Sequence, residues 1–177
     1  MERKGWRCLR QTHPFRQPRT ESRSKKDGTM IIFVCANLKE IFIKKRDYAW
    51  PKPEVCPRCK MSKLWGHGFV AAYFDDFAGQ IQLRRYRCPE CCCVIRLRPG
   101  GYFRRIQASI RTIRSSLWQR IVRGRYLSGL SRSRQRHWLN GLMRNTVAHL
   151  GHGWKDRLLE AFDCFMSMGK VPVSGSM

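Results

Sequence analysis

The sequence predicts an α+β protein in which a small β-sheet unit precedes a bundle of three helices. Between residues 69 and 98, strand-forming residues alternate with turn residues, as in a β-hairpin or a three-stranded ribbon. From Ile106 onward, apolar residues recur every three or four positions, as they do along amphipathic helices. A length of 177 residues suits one modest domain or two very small ones.

The β-sheet unit is predicted from three short stretches. Residues 69–74 and 81–86 are rich in strand formers, and the intervening segment 75–79 has the composition of a turn, with two aspartates and a glycine. A third stretch, 94–98, alternates until Pro99-Gly100-Gly101 stops it. We therefore expect a hairpin or a three-stranded ribbon over these residues.

Two cysteine pairs flank the predicted hairpin. They are Cys56-Pro57-Arg58-Cys59 and Cys88-Pro89-Glu90-Cys91, with 28 residues between them. A two-residue gap lets both thiolates of one tight turn reach the same tetrahedral ion, and proline in the second position favours that turn. The sequence therefore predicts a zinc ribbon, in which a structural Zn²⁺ is held by Cys56, Cys59, Cys88 and Cys91.

Other uses of these cysteines are less consistent with the spacing. A redox dithiol does not need a second pair, and an iron–sulfur cluster needs a compact run of four spaced cysteines. The ligand set itself stays open at one position, because Cys92 or Cys93 can replace Cys91 after a small shift in register. His67 is a further candidate ligand, for which we expect a structural or phosphate-contacting role instead.

The helical half is predicted from apolar periodicity and from capping residues. Apolar residues from Ile106 to Ile121 share one helical face, and Gly124 ends that helix. Ser131 is a good N-cap for a second helix, which runs through Trp138 and Met143. A third helix begins near residue 154 and ends near residue 169.

The chain carries a large positive charge, which is concentrated in its centre. Lysine and arginine number 36 against 12 acidic residues, so the formal net charge is +24. Residues 84–136 contain fifteen arginines, no lysine and one acidic residue, Glu90. Arginine suits phosphate oxygens and guanine edges, and so much charge on a folded chain predicts a polyanionic partner. An arginine-rich genome is the alternative explanation.

Composition also excludes several classes of protein. A hydrophobic fraction of 42% is too high for a disordered polyelectrolyte. No stretch approaches the roughly 18 consecutive apolar residues of a membrane-spanning helix, and no secretory signal is visible. We therefore expect a cytoplasmic protein with no membrane partner.

The segment 129–139 has the composition of a helix-turn-helix. A glycine-containing turn and an N-cap precede polar side chains on the opening turns of a helix, which are the positions that reach base edges in the major groove. An ordinary solvated helix face is the alternative. Residues predicted to contact DNA here are Arg132, Ser133, Arg134, Gln135, Arg136 and Asn140. Phosphate contacts are predicted for Arg84, Arg85, Arg87, Arg104 and Arg105.

Four regions follow from these patterns. A disordered basic arm is expected over residues 1–29, and Met30, where the composition turns apolar, is an alternative start of translation. Residues 30–103 form the zinc-ribbon domain with an N-terminal extension, and residues 104–168 form the helical, helix-turn-helix-like domain. A flexible tail is expected over residues 169–177.

Residues 50–150 resemble the N-terminal module of bacterial insertion-sequence transposases, a module also found in short stand-alone proteins. The resemblance lies in the two cysteine pairs, in Leu64-Trp65-Gly66-His67-Gly68-Phe69 and in Arg84-Arg85-Tyr86-Arg87-Cys88-Pro89, followed by the helix-turn-helix pattern. It implies binding to the terminal inverted repeats of a mobile element. Lys60 and Cys92 depart from it, since such ribbons commonly carry glycine there.

The resemblance does not extend to catalysis. Transposases of this type cut with three acidic residues of an RNase H-like domain, whereas only Asp156, Glu160 and Asp163 follow residue 150, on one short predicted helix. We therefore expect a non-enzymatic DNA-binding protein that is transposase-associated or a truncated transposase. The alternatives are an RNA-binding or ribosome-associated protein, with Tyr73, Tyr86 and Tyr102 stacking on bases, and the DNA-binding subunit of an enzyme whose catalytic chain is separately encoded.

Overall fold

The computed structural model describes residues 29–174 and has the predicted α+β class, with one four-stranded sheet and four α-helices. The predicted arm, apart from Thr29, and the last three residues of the predicted tail lie outside the described residues. In chain order the elements are β1 Met30–Val34, α1 Leu38–Lys44, β2 Trp65–Ala72, β3 Ile81–Arg87, β4 Val94–Pro99, α2 Ile110–Arg123, α3 Arg132–Leu150 and α4 Leu158–Ser167.

The sheet has the strand order β1-β4-β3-β2. The three strands expected from the sequence form its antiparallel part, β2 with β3 and β3 with β4. The fourth, β1, lies parallel to β4, with Ile32 opposite Leu97. The sequence did not predict β1, because its apolar residues carry no information about a partner more than 60 positions away.

The sheet is stabilised by two small cores. One surrounds the cysteines and contains Leu64, Tyr86 and Ile95. The other lies under α1 and contains Ile41 and Phe74, together with Ile81 and Leu83 of β3. Because side chains alternate along a strand, β3 contributes to both cores from opposite faces.

The helical unit has a third core, in which α2, α3 and α4 pack through Leu117, Trp138, Leu142 and Phe162. Helix α2 begins four residues later than expected, because Ser109 rather than a residue near Ile106 caps it. The predicted end of α2 and the predicted start of α3 are confirmed. Gly124 follows α2 with a φ of 66°, and the Ser131 side chain accepts a hydrogen bond from the Arg134 backbone nitrogen at 3.2 Å.

The Gln135 side chain makes four hydrogen bonds inside the helical unit. Its side chain is buried, and its Oε1 accepts from the Ser116 hydroxyl at 2.8 Å and from the Leu127 N–H at 2.9 Å. Its Nε2 donates to the carbonyls of Leu127 and Leu130 at 2.8 and 3.1 Å. One amide therefore satisfies the backbone of the connection between α2 and α3 and joins that connection to both helices.

Residues 171–174, which the sequence places in a flexible tail, pack against α3. Val173 is buried in the helical core, and the Asn145 amide donates to the carbonyls of Pro172 and Ser174. A Cβ at Gly141 would lie 2.6 Å from the Val173 carbonyl oxygen, so only glycine admits this approach. The prediction of a flexible tail is therefore wrong for residues 171–174, which pack against α3.

The turn between β2 and β3 connects the sheet to the helices. The Asp75 carboxylate pairs with Arg134 of α3 at 2.8 Å, and the Asp75 N–H donates to the Gln107 carbonyl at 3.2 Å. Asp76 accepts from the Tyr102 hydroxyl at 2.8 Å. Asp75 thus joins the sheet to α3, whereas Asp76 fixes the turn within the sheet unit.

Replacement of Gln135 by alanine is expected to destabilise the protein by about 2–4 kcal/mol, because several buried backbone groups and the Ser116 hydroxyl lose their partner. Urea unfolding followed by circular dichroism measures this loss. Ser133→Ala, an exposed substitution two positions earlier, is the control and should change stability by less than about 0.5 kcal/mol. Equal stability of the two variants would contradict the central role of Gln135.

Candidate metal centre and nucleic-acid interface

Four cysteines converge at one end of the sheet. The sulfur atoms of Cys56, Cys59, Cys88 and Cys91 all lie within 4.8 Å of one another. The Cys56 and Cys91 sulfurs are 3.6 Å apart and those of Cys59 and Cys88 are 3.4 Å apart, too far for a disulfide and close enough for one shared metal ion. Among residues 29–174, no other group of three or more His, Cys, Asp or Glu is close enough to bind a metal.

The two cysteine turns have the same backbone geometry. In each, the N–H of the first cysteine donates to the carbonyl five residues later, Cys56 to Met61 at 2.8 Å and Cys88 to Cys93 at 3.0 Å. The residue after each pair is left-handed, with φ values of 63° for Lys60 and 57° for Cys92. These are the two positions where similar ribbons carry glycine, and here a lysine and a cysteine adopt the conformation that glycine favours.

The fourth member of the cluster is Cys91, and neither Cys92 nor Cys93 belongs to it. Cys92 is exposed and lies outside it, while Cys93 is buried and its sulfur donates to the Val94 carbonyl at 3.7 Å. His67 is also absent from the cluster. The position that the sequence leaves open is therefore occupied by the cysteine whose spacing mirrors the first pair.

The cluster favours a cation because the Cys91 thiol resists ionisation beside three other sulfurs. Burial raises the pKa of the Cys56 thiol, but hydrogen bonds from the backbone of Cys59 and Arg58 outweigh burial and bring this pKa down to about 7. Burial and the three neighbouring sulfurs raise the pKa of Cys91 to about 12. A bound divalent ion removes this repulsion, since it stabilises all four thiolates together.

Helix α3 presents an exposed polar face. Arg132, Arg136 and Asn140 recur at four-residue intervals and are exposed, as are Ser133 and His137 beside them. Trp138 and Leu142 point to the opposite side and are buried. The amphipathic helix expected from the sequence therefore has its predicted exposed face, which five polar residues line near the helix N-terminus.

One edge of this face carries a cluster of arginines around Tyr126. The Arg120 guanidinium lies 4.6 Å and that of Arg132 6.0 Å from the centre of the Tyr126 ring. A hydrogen bond from Arg136 lowers the pKa of the Tyr126 hydroxyl. The sequence did not predict that Tyr126 would lie among these arginines, because it belongs to a connection without helical or strand periodicity.

The other edge carries two of the predicted phosphate-contacting arginines. Arg104 and Arg105 are exposed and line, with His137, an open cavity of about 470 Å³. The structure therefore brings residues from the start of the helical unit alongside α3. His137 was not among the predicted site residues, although its place next to Arg136 in an exposed helical turn is a usable signal.

Two predicted DNA contacts have structural roles instead. Gln135 is buried with every hydrogen-bonding group of its amide engaged, so its prediction as a base-reading residue is wrong. Arg134 pairs with Asp75 and lies 5.0 Å over the Trp138 ring. Both side chains point away from the exposed face because a helix places consecutive residues about 100° apart.

The arginines of β3 do not form one surface. Side chains alternate along a strand, so Arg84 lies on one face of the sheet while Arg85 and Arg87 lie on the other. Arg84 stacks over Phe69, whereas Arg85 stands opposite Arg96 of β4. These residues therefore cannot all contact one ligand from the same side.

Most of the central arginines have no acidic partner. Of the fifteen arginines in residues 84–136, two form ion pairs within the part of the chain that the structure describes, Arg114 with Asp163 and Arg134 with Asp75. Of the other thirteen, Arg98 is buried and donates to the Ile106 carbonyl, and twelve are exposed or half-buried. This distribution attracts polyanions, and attraction of that kind weakens as salt is added.

The connection between α2 and α3 spans residues 124–131 and is longer than the turn of about three or four residues in a typical helix-turn-helix. Within residues 29–174, no helix combines the length and the apolar character needed to cross a membrane. The chain matches no family model, no curated protein and no solved structure in the comparisons made with known proteins.

Replacement of Cys91 by serine is expected to weaken metal binding strongly, because an oxygen ligand or water replaces one of four thiolates. Elemental analysis after dialysis against a chelator should then show less metal per chain than in the unsubstituted protein, and thermal unfolding should shift to lower temperature. Cys92→Ser, the adjacent exposed cysteine, is the control and should keep the metal. Loss of metal in the control with retention in Cys91→Ser would contradict the ligand set.

Proposed function

We propose that this protein binds duplex DNA through the exposed face of α3 and that Zn²⁺, held by the four cysteines, stabilises its sheet. The observation that carries the proposal is the row Arg132, Arg136 and Asn140, which is flanked on one edge by Arg120 and on the other by Arg104 and Arg105.

The assignment of zinc rests on the donor set and its dimensions. Four thiolates at the corners of a tetrahedron with Zn–S bonds of about 2.3 Å are about 3.8 Å apart. The sulfur separations of 3.4 and 3.6 Å are close to this value. Thiolate ligands favour zinc over the hard cations magnesium and calcium, and a four-cysteine site without an open position is structural rather than catalytic.

The mode of DNA binding follows from the shape of the α3 surface. An α-helix fits the major groove, and Arg132 and Asn140 belong to the residue types that pair with guanine and adenine edges. The arginines on both edges then lie where the two phosphate backbones border the groove. The positive end of the α3 dipole adds to this attraction. We propose that α2 and α3 act as a helix-turn-helix with an extended connection.

The biological role is proposed from the resemblance of residues 50–150 to the N-terminal module of insertion-sequence transposases. On that basis the target is the ends of a mobile element. The chain acts there as a transposase-associated protein, and a separately encoded catalytic subunit is its candidate protein partner. DNA footprinting on the inverted repeats that flank the gene tests this role.

The RNA-binding alternative receives less support from its proposed stacking residues. Tyr86 and Tyr102 are 6% and 7% exposed, so their rings are not free to stack on bases at the surface. Tyr73 is 60% exposed and stays available. Competition between duplex DNA and structured RNA for the labelled protein separates the two functions, and stronger competition by RNA would reverse our preference.

The double substitution Arg132→Gln and Arg136→Gln is expected to weaken binding to duplex DNA by about tenfold to a hundredfold, because base and phosphate contacts are lost together. Fluorescence anisotropy between about 50 and 200 mM salt measures both the affinity and its salt dependence. The slope of log affinity against log salt should decrease by about one for each phosphate contact removed.

The matched control is Lys39→Gln with Lys52→Gln, which removes the same charge from exposed positions on the sheet unit. This control should change the affinity by less than about threefold, which is a nonspecific effect of net charge. Equal weakening of both double variants, or binding that is insensitive to salt, would refute the proposed surface.

A further inference from the structure

We propose that a second site on this protein binds a single unpaired nucleotide. The site is a cavity of about 290 Å³ lined by six residues, Arg46, Tyr48, Trp50, Phe69, Arg84 and Tyr86, which we call the aromatic cavity. None of these residues belongs to α2, α3 or α4, so the aromatic cavity is distinct from the surface proposed to bind duplex DNA.

Arg84 is held in place by the strands around it. Its guanidinium lies 4.7 Å from the centre of the Phe69 ring, which is opposite on β2, and 5.6 Å from that of Tyr86. A Cβ at Gly66 would lie 2.5 Å from Arg84 Nη2, so the glycine leaves the space that the guanidinium occupies. The register shift between Gly66 and Phe69 places both residues against Arg84.

Aromatic rings form the walls and floor of the cavity. Tyr48 and Trp50 meet edge to face, with ring centres 5.2 Å apart. These two rings and Phe69 are half-buried, so part of each stays accessible to a ligand. Tyr86 is buried more deeply and closes the floor. Most of the surface open to the cavity is polar, so a planar ring that enters it meets the flat Arg84 guanidinium and a small part of the aromatic rings.

The charge of the cavity selects the class of ligand. Two of its six lining residues are arginines, none is acidic, and no ion pair neutralises Arg46 or Arg84 within residues 29–174. Aromatic cages that bind ammonium groups need the opposite charge, so a cationic ligand is disfavoured. A nucleotide satisfies both features, because its base stacks on aromatic rings and guanidinium planes while its phosphate pairs with arginine.

The cavity is an open groove whose dimensions suit a single base. Its volume lies at the lower limit of about 300 Å³ for small-molecule sites, which suits one nucleotide and not two paired bases. The nucleotide must therefore come from a single strand or from an unpaired end. A protein that holds duplex DNA on α3 and an unpaired nucleotide here would distinguish an open DNA end from a continuous duplex.

The position of the bound strand is tested by photocrosslinking. The probe is a single-stranded oligomer of about eight thymidines with one 5-iodouracil, mixed with the full-length, metal-loaded protein. Mass spectrometry of the irradiated complex is expected to locate the crosslink at Tyr48, Trp50 or Phe69. A crosslink confined to α2 or α3 would overturn the proposal.

The affinity for the same oligomer is tested with variants of equal charge. Arg84→Gln and Arg46→Gln are each expected to weaken binding about tenfold, because each removes a contact to the stacked nucleotide. Arg87→Gln is the matched control, since Arg87 is exposed, lies on the opposite face of β3 and carries the same charge. Equal weakening by Arg87→Gln and the two cavity variants would show general electrostatic attraction and overturn the site.

Two further measurements test which ligand the cavity binds and whether the two proposed binding sites are independent. Thymidine monophosphate should compete with the oligomer more strongly than inorganic phosphate, and equal competition would exclude a base-binding site. Arg46→Gln should leave duplex binding nearly unchanged, whereas the double α3 variant should leave the crosslink in place. Loss of both activities in the double variant would show that the sites are not separate and would overturn this inference alone.

Discussion

The convergence of four cysteine sulfurs is the constraint on which the sheet unit depends. The segment from 48 to 64 has no helix or strand, and the cysteine cluster is its strongest connection to the end of β3. The core beside the cluster is small and contains Cys56 and Cys88 themselves. Because so few apolar side chains are available, a metal held by the cluster would supply the stability that a larger core would provide.

The same constraint positions the aromatic cavity. Tyr48 and Trp50 precede the first cysteine turn, whereas Arg84 and Tyr86 precede the second. Joining the two turns brings these pairs of residues to the same part of the sheet. No cysteine lines the cavity itself.

Electrostatics sets the second constraint, which acts across the whole molecule. Three acidic residues near the arginine-rich region make internal contacts: Asp75 joins the sheet to α3, Asp76 accepts from Tyr102 within the sheet unit, and Asp163 joins α4 to α2. Arg85 and Arg96 even stand opposite each other on adjacent strands. Like charges so arranged repel, so the fold tolerates a cost that an anionic partner would relieve.

Local patterns in the sequence were sufficient to predict three strands, the cysteine turns, the Ser131 cap and the glycine that ends α2. Each of these depends on residues within a few positions of one another, where spacing and backbone preference are decisive. Partners distant in sequence were not predictable. The pairing of β1 with β4, the packing of Val173 on α3 and the burial of Gln135 all depend on which segments meet in the folded chain.

The candidate sites likewise combine features that the sequence predicts with features that only the fold determines. Residue type and spacing alone identified three of the four clustered cysteines and the arginine-rich segment, because thiolates and guanidiniums have a specific chemistry wherever they lie. The choice of Cys91 over Cys92 and Cys93 was left to the fold. Tertiary packing selected which arginines remain available. Arg132 and Arg136 are exposed, Arg134 pairs with Asp75, and the Arg84 side chain lines the aromatic cavity. These differences depend on neighbours in the fold, which the order of residues along the chain does not reveal.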